Sequence, residues 1–299
     1  MNAVWPELEF EAWADTCATL HLWTQIVGKI RLATMPPINH CWQVPLYVTS
    51  RGLTTTAMPH GGRTFEIGFD FLAHRLHISA SDGAAESFAL APMSVAAFYE
   101  TIMARLKTLG LDVKIWTMPQ EIAGAIPFDQ DRVHAAYDAE FAQRFWRVLL
   151  IAHGLFTEFR CRFIGKVSPV HFFWGSFDLA VTRFSGRRAP PHPGAPNVGL
   201  GVMRDAYSHE VSSCGFWPGN GGFGKAAFYA YAYPQPAGFA RAAGLPEGAY
   251  FDETMGEFIL PYDAARAADD PRAVVLAFLQ STYEAEADAA QWDRAALER

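Results

Sequence analysis

Apolar residues recur every three or four positions in several segments of the chain, which is the spacing of a helix with a buried face. The clearest run starts at Trp13 and passes through Leu20, Trp23, Val27 and Ile30. The predicted helices span about residues 13–30, 94–109, 132–155 and 271–296. Pro92-Met93-Ser94 opens the second helix, and Gly110 closes it as a C-cap.

Between these helices, apolar and polar residues alternate or apolar residues run together, as they do in strands. TFEIGFDF at 64–71 and RLHISAS at 75–81 predict a hairpin that turns near Ala73 and ends at Asp82-Gly83. Further strands are predicted at 40–52, 171–184, 227–234 and 257–261. Because strands are clustered and all connections can be short hairpins, the pattern favours an α+β fold with antiparallel sheet over a doubly wound parallel sheet.

The order helix, antiparallel strands, helix occurs twice along the chain. Short fragments match in the same order: LYVT at 46–49 with LAVT at 179–182, Gly28-Lys29 with Gly165-Lys166, and His40 with His171. The repeat predicts an internal duplication, with two related halves that form one compact unit. The predicted halves are residues 1–118 and residues 119–299, and the second carries a Pro/Gly-rich loop at 186–201.

Composition and charge narrow the classes of partner. The 299 residues are 51% hydrophobic and carry a net charge of −7, which disfavours a nucleic acid or an anionic membrane as the main partner. The longest apolar runs, such as VLLIA at 148–152, are far shorter than a membrane span. The first residues, MNAVWPELEFEAWAD, lack the basic region of a secretory signal, so a cytoplasmic location is expected.

GNGGFGK at 219–225 matches the glycine patterns of two nucleotide-binding motifs. Both motifs need a strand before the glycines and a helix after them, because the helix N-terminus holds the phosphate. Here Trp217-Pro218 precedes the glycines, and the strand-like AFYAYAYP follows. The segment is therefore interpreted as a hairpin loop.

The predicted strand 171–184 is apolar on both faces and still contains ionisable groups. Period two assigns His171 and Arg183 to one face and Asp178 to the other. A carboxylate in the middle of a central strand costs several kcal/mol unless it is paired or hydrogen-bonded. Asp178 is therefore expected to have a partner, with Arg183, Arg204, Lys166 or a histidine as the candidates.

Residues 160–210 hold seven Lys and Arg side chains against three Asp and Glu. A basic segment followed by a Pro/Gly-rich loop predicts a cleft that binds a small anion, a carboxylate or a phosphate, beneath a lid-like loop. The expected lining residues are Lys166, His171, Asp178, Arg183, Arg187, Arg204, Tyr207 and His209. Catalysis there would use His171 or His209 as general base, with Asp178 beside them and the basic side chains holding the anion. Whether the protein is an enzyme stays open.

Two other functions are considered. A metal-dependent enzyme would use His40, His171, His209 and Glu210, which are suitable ligands without a recognised spacing. A non-catalytic interaction protein would present aromatic residues such as Trp5, Trp13 and Trp292 to a partner. The sequence specifies neither a cofactor nor an oligomeric state.

Several long segments resemble one family of bacterial proteins that is known only as a domain of unknown function. The resemblance is carried by LHLWTQIVGKIRL, PLYVTSRGLTT, SPVHFFWGSFDLAVTRFSGR, AYSHEVSS and LQSTYEAEAD. It spans nearly the whole chain and implies a single protein of this architecture. It implies no activity, cofactor or catalytic residue.

Overall fold

A long helix, α1 (Phe10–Thr34), runs through the centre of the computed structural model, which describes residues 5–299. The predicted helix is confirmed, but the expectation of one buried face is wrong. Every residue from 19 to 31 is buried, as in a helix that is covered on all sides. The polar side chains of this stretch must therefore find partners inside the protein.

The first sheet is antiparallel and lies in the first half of the chain. Its strands are β1 (Tyr47–Val48), β2 (Gly52–Thr54), β3 (Met58–His60), β4 (Arg63–Asp70), β5 (Arg75–Ala80) and β6 (Ala85–Ala89). They pair in the order β1-β2-β4-β5-β6, and β3 also pairs with β4. The predicted hairpin is confirmed as β4 and β5, with Phe65 opposite Ala80.

The helix that follows, α2 (Val95–Thr108), begins and ends as predicted. Ser94 Oγ accepts a hydrogen bond from the Ala97 amide at 3.2 Å, which satisfies one of the free amides of the first turn. Gly110 adopts the left-handed conformation (φ 69°) just beyond the helix. Stacking of Phe98 on Trp23, with ring centroids 4.7 Å apart, holds α2 against α1.

The third long helix, α3 (Ala139–Cys161), begins later than the predicted residue 132. The Asp138 carboxylate accepts hydrogen bonds from the amides of Glu140 and Phe141, at 2.8 and 3.1 Å, and so caps the helix. The Asp138 amide donates to Thr16 Oγ1 on α1 at 2.9 Å. This contact ties the start of α3 to α1.

The second sheet is a six-stranded antiparallel sheet in the second half of the chain. Its strands are β7 (His171–Phe173), β8 (Asp178–Arg188), β9 (His209–Trp217), β10 (Ala227–Tyr233), β11 (Tyr250–Asp252) and β12 (Glu257–Pro261). They pair in the order β11-β12-β10-β9-β8-β7. The glycine-rich segment 219–225 lies in the connection between β9 and β10, as the sequence predicted.

The predicted continuous strand at 171–184 is wrong, because the chain reverses at 174–177. β7 and β8 form a hairpin in which His171 lies opposite Ala180. Opposed residues of an antiparallel pair point to the same face. His171 therefore shares a face with Asp178, and not with Arg183 as the uninterrupted period predicted.

The predicted strand at 40–52 is also mostly wrong. A 3₁₀ turn at Asn39–Cys41 takes its place before the short β1. His40 and Cys41 have φ values of 60° and 57°, which no extended strand contains. The turn contacts α4 (Leu200–Ala206), the short helix that follows the Pro/Gly-rich loop.

The two sheets share one hydrophobic core. Leu46 and Phe172 exchange two backbone hydrogen bonds of 2.9 Å and so bridge the ends of β1 and β7. On α1, Trp23 packs against Phe98 of the first half, and Trp13 packs against Phe145 of the second, with centroids 5.2 Å apart. The α+β class and the single unit are confirmed.

The internal duplication stays a prediction, and the matched fragments lie in different elements. Gly28-Lys29 is inside α1, whereas Gly165-Lys166 follows the end of α3. His40 is in the 3₁₀ turn, whereas His171 begins β7. Residue matches of this kind do not place equivalent side chains in the two halves.

Three helices complete the chain: α5 (Tyr262–Ala267), α6 (Pro271–Ala289) and α7 (Arg294–Leu297). Asp270 caps α6 by accepting a hydrogen bond from the Ala273 amide at 3.0 Å. The helix predicted at 271–296 is therefore confirmed over most of its length and is interrupted before α7. Within residues 5–299, none of the helices combines the length and the apolar character that crossing a bilayer requires.

Candidate functional site

A cavity of about 1040 Å³ lies over one face of the second sheet. Its walls come from α1, from the segment 114–121 that joins the halves, from residues 40–44, and from the loop and helix between β8 and β9. A cavity of this size holds a small organic molecule. The predicted boundary between the halves at 118/119 falls inside this 114–121 segment, which forms one wall of the cavity.

The floor of the cavity is formed by alternate residues of neighbouring strands, because side chains of a strand point to opposite faces in turn. Small or short side chains lie on β8 and β9, and tyrosines lie on β10. The residues are Asp178, Ala180 and Thr182 of β8, Ser213 of β9, and Tyr229, Tyr231 and Tyr233 of β10. The sequence AFYAYAYP placed these tyrosines on one face.

Gly215 makes room for Tyr229 to lie across β9. A Cβ atom at Gly215 would be 2.3 Å from the Tyr229 hydroxyl oxygen and 2.5 Å from the backbone oxygen of Leu179. In the space left free, the Tyr229 hydroxyl donates a hydrogen bond to Asp178. The Ser176 hydroxyl donates a second bond to the same carboxylate.

The expected partner of Asp178 therefore exists but is of a different kind. Two neutral hydroxyl groups replace the arginine, lysine or histidine that the sequence suggested. Arg183 is five residues further along β8, an odd number, so its side chain points to the other face. Burial raises the pKa of Asp178, and the two hydrogen bonds oppose that rise.

Three carboxyl groups line the same end of the cavity: Glu121, Asp178 and Glu257. The pKa of Glu121 is raised to about 7, mainly by burial and further by the charge of Asp178. The pKa of Glu257 is also raised to about 7, by burial and by Asp178 and Asp252. Glu121 is exposed, yet protein surrounds its carboxyl group closely enough to disfavour the charge. These carboxyl groups make no ion pair within residues 5–299.

Tryptophan side chains form much of the cavity wall. The residues are Trp42, Trp116, Trp174 and Trp217. Trp174 donates a hydrogen bond to Val44 O at 2.8 Å, and it lies so close to α1 that a Cβ atom at Gly28 would be 2.3 Å from its ring. Trp116 is 67% exposed and therefore borders the opening.

The loop after β8, which the sequence predicted as a lid over an anion site, lines another part of the cavity. His192 of this loop lies between the rings of Tyr207 and Tyr233, with centroids 4.9 and 4.7 Å away. The α4 helix that follows is held to the 3₁₀ turn, because the Cys41 amide donates to Asp205 Oδ2 at 3.1 Å. The tyrosine hydroxyls of Tyr207 and Tyr231 are hydrogen-bonded at 2.7 Å.

Arg183 does not line this cavity. Its guanidinium is buried, with 1% of the residue exposed, on the helix side of the sheet. It donates to Phe159 O at 2.5 Å and lies over the rings of Phe159 and Tyr283, at 3.5 and 4.3 Å from the centroids. Burial lowers its pKa to about 10. An arginine stacked in this way stabilises the packing of α3 and α6 on the sheet.

The other predicted basic residues are dispersed. Arg187 forms a 2.6 Å ion pair with Glu210, and Arg204 is exposed on α4. Lys166 is exposed, with its Nζ 2.7 Å from His40 Nε2. The predicted arginine-lined cleft is therefore not assembled. Of its eight expected residues, only Asp178 and Tyr207 line the cavity.

His171 lies beneath the cavity wall and not in it. Its ring is 5.8 Å from that of Trp42 and 5.6 Å from that of Tyr47, and only 1% of the residue is exposed. Neither ring nitrogen has a hydrogen-bond partner within residues 5–299. Burial, followed by the charges of Arg31 and Arg160, lowers its pKa to about 3. A general-base role for His171 has no access to the ligand space.

Replacing His171 with leucine should reduce the acid sensitivity of folding. The pKa of His171 is about 3 in the folded protein and 6.5 in an unfolded chain. Between these values the unfolded chain binds a proton at this histidine and the folded protein does not. The free energy of unfolding therefore falls as the pH drops below 6.5. Between pH 7 and pH 5 this loss is about 2 kcal/mol. Urea unfolding at both pH values measures it.

In His171→Leu, the free energy of unfolding should differ less between pH 7 and pH 5 than in the unmodified protein, by that amount. Part of the acid sensitivity remains, because burial also lowers the pKa of His21, to about 4. His60→Leu, at the end of β3, serves as the control. An unchanged pH dependence of stability in His171→Leu would contradict the lowered pKa of the buried His171.

The metal ligands that the sequence suggested do not come together. His40 and His209 have ring centroids 5.7 Å apart, but Trp42 stands next to both His40 and His171, and Glu210 is bound to Arg187 and Ser185. Over residues 5–299, no group of three or more histidine, cysteine or acidic side chains is arranged to hold a metal ion.

Sequence reasoning missed Lys29, Glu121 and Glu257. Their positions in the cavity depend on contacts between segments far apart in the chain. The alternating tyrosines of β10 were a readable signal, since period two already put them on one face. No local pattern distinguished Glu121 or Glu257 from a surface carboxylate.

The geometry defines an α+β protein with one large aromatic and acidic cavity. The chain belongs to a family of unknown function, DUF5996, whose model matches residues 5–299. No curated protein and no solved structure matches the chain. Because the function of the family is unknown, the cavity itself is the basis for a functional proposal.

Proposed function

We propose that the protein binds a small organic molecule that carries a protonated amine and an aromatic or apolar body. The proposal rests on the three carboxyl groups at one end of the cavity, Glu121, Asp178 and Glu257. Within residues 5–299, no basic side chain forms an ion pair with any of them. Placing acids next to one another in a site enclosed by protein, with no counter-charge, is costly. A cation in the cavity removes that cost.

The surrounding rings favour the same kind of ligand. Tyrosine and tryptophan faces attract cations by the negative potential of their π systems, most strongly where water is excluded. Such rings also provide the flat apolar surface that an aromatic or aliphatic body contacts. The acidic end would hold the amine, and the tryptophan walls would hold the rest of the ligand.

A small anion is the second candidate, in keeping with the expectation from the sequence. Lys29, Lys114, His40 and His192 all line the cavity and could contribute positive charge. The arginines that motivated the anion site lie elsewhere, which favours the amine. The interaction-protein alternative loses support because Trp13 and Trp292 are buried and Trp5 packs on Phe228 and Tyr262.

Three probes with the same phenyl body test the proposal: phenethylamine, 2-phenylethanol and 3-phenylpropionate. Calorimetry and thermal shift at pH 8 should show binding of the amine and weaker or no binding of the alcohol and the carboxylate. Because Glu121 and Glu257 have pKa values of about 7, they are mostly protonated at pH 6. The amine should therefore bind about tenfold more weakly at pH 6 than at pH 8.

Asp178→Asn should weaken amine binding by about tenfold, because it removes a charge from the acidic end and keeps the shape. Asp263→Asn, an exposed position on α5, is the matched control and should bind the amine normally. Preferential binding of 3-phenylpropionate would reject the amine proposal in favour of the anion. Absence of amine binding at millimolar concentration would also reject it.

A cytoplasmic location and a bacterial source stay predictions from the sequence. Neither enters the argument for the ligand.

A further inference from the structure

Lys29 is a lysine in the wall of the cavity that has no acidic partner. It lies on the central helix α1, and only 4% of the residue is exposed. Over residues 5–299, no carboxylate lies within 4 Å of its Nζ atom. A buried lysine is normally paired with an acid, so this position is unusual.

Its Nζ atom contacts one backbone carbonyl oxygen and two aromatic rings. Nζ donates one hydrogen bond to Met118 O at 2.5 Å. The ring of Trp116 lies 4.7 Å from Nζ and the ring of Phe128 lies 5.7 Å away, both measured to the centroid. An ammonium group has three N–H donors, and the protein supplies a hydrogen-bond acceptor for one of them.

The chemical consequence is a reactive amine. Burial lowers the pKa of Lys29 to about 8. At pH 7 about a tenth of the side chain is then the neutral amine, far more than for an exposed lysine. The neutral form is the nucleophile, and a desolvated lysine beside a ligand space is the arrangement that supports imine chemistry.

We propose that Lys29 condenses with the carbonyl group of an aldehyde or ketone in the cavity to form an imine. The nitrogen lone pair attacks the carbonyl carbon, and a proton passes from nitrogen to oxygen to give a carbinolamine. Solvent then protonates that hydroxyl, water leaves to give an iminium ion, and the nitrogen returns one proton to solvent to leave the imine. The reaction releases one water molecule and needs no oxidant or reductant.

This activity goes beyond the proposed amine binding and does not depend on it. The two share the cavity but use different groups, since the amine site is built from carboxyl groups and the imine site is one lysine. Lys114 provides a comparison within the same chain, because it lines the same cavity but is exposed. Differences between the two lysines therefore report on the environment of Lys29.

Reductive trapping tests the inference. The full chain is incubated with benzaldehyde and sodium cyanoborohydride at pH 7, and peptide mass spectrometry compares labelling of Lys29 with labelling of Lys114. Lys29 should be labelled at least tenfold faster, because its fraction of neutral amine at pH 7 is on the order of a hundred times that of an ordinary exposed lysine. Its labelling rate should rise with pH and level off above about pH 8.

Lys29→Met should abolish the cavity adduct and leave labelling at Lys114 unchanged. If that variant does not fold, the ratio of the Lys29 and Lys114 labelling rates in the unmodified chain still tests the imine proposal. Equal or slower labelling of Lys29 relative to Lys114 would overturn the inference. Trapping at Lys29 without phenethylamine binding would reject only the amine proposal, and binding without trapping would reject only the imine.

Discussion

Replacing Arg183 with alanine should lower the free energy of unfolding by about 3 kcal/mol and leave ligand binding in the cavity unchanged. The guanidinium fills the space between Phe159 and Tyr283 and donates to Phe159 O. Alanine would leave a void between the rings and an unpaired buried carbonyl. No atom of the cavity wall would change, because Arg183 points to the opposite face of β8.

Arg183→Met separates packing from charge. Methionine fills part of the same space without a charge, so it should recover most of the stability that alanine loses. Urea unfolding measures stability, and phenethylamine calorimetry measures binding in each variant. Arg187→Ala, whose side chain is half exposed, should change stability by less than about 1 kcal/mol. If a folded Arg183→Met protein no longer bound phenethylamine, Arg183 would have the ligand-binding role that the sequence predicted.

Replacing Gly215 with alanine should both destabilise the protein and weaken amine binding. The added Cβ atom would meet the Tyr229 hydroxyl at 2.3 Å and the backbone of Leu179 at 2.5 Å. The backbone atom cannot move aside easily, so we expect a loss of about 2 kcal/mol from overpacking. Tyr229 would shift from Asp178, and the buried carboxyl group would lose one of its two hydroxyl donors.

The pH dependence of amine binding in the Gly215→Ala variant measures the loss of the Tyr229 hydrogen bond to Asp178. Without the Tyr229 hydrogen bond, the charged form of Asp178 is less stable, and amine binding should weaken more at pH 6 than at pH 8. Gly154→Ala is the matched control, because a Cβ atom there meets nothing within 4 Å and the position is helical. It should keep normal binding and gain up to about 1 kcal/mol. Normal stability and binding in Gly215→Ala would contradict the described floor of the cavity.

The long helices were predictable because each bears a local signature. Leu20, Trp23, Val27 and Ile30 repeat at helical spacing, and Ser94 and Gly110 mark the ends of α2. These patterns involve residues only a few positions apart, so they can be recognised without knowing how the rest of the chain folds. The extent to which α1 is buried was not predictable, because it depends on two sheets and two helices that pack around it.

The strand faces were predictable only where the strand was continuous. In β10, the alternation in AFYAYAYP is enough to bring Tyr229, Tyr231 and Tyr233 to one face. Between His171 and Asp178 the chain turns, and one reversal moved His171 to the other face relative to the predicted pattern. A break in the period alters every face assignment beyond it.

The sequence by itself determined the α+β class, the long helices, the main hairpin and the family. It also identified Asp178 as a buried carboxyl group in need of a partner. Only the tertiary structure decided that the partners are hydroxyl groups, that Arg183 lies on the far side of the sheet, and that Lys29, Glu121 and Glu257 meet in one cavity. The physical reason is that secondary structure follows from short-range spacing, whereas a site is formed by the directions of side chains on segments far apart in the chain.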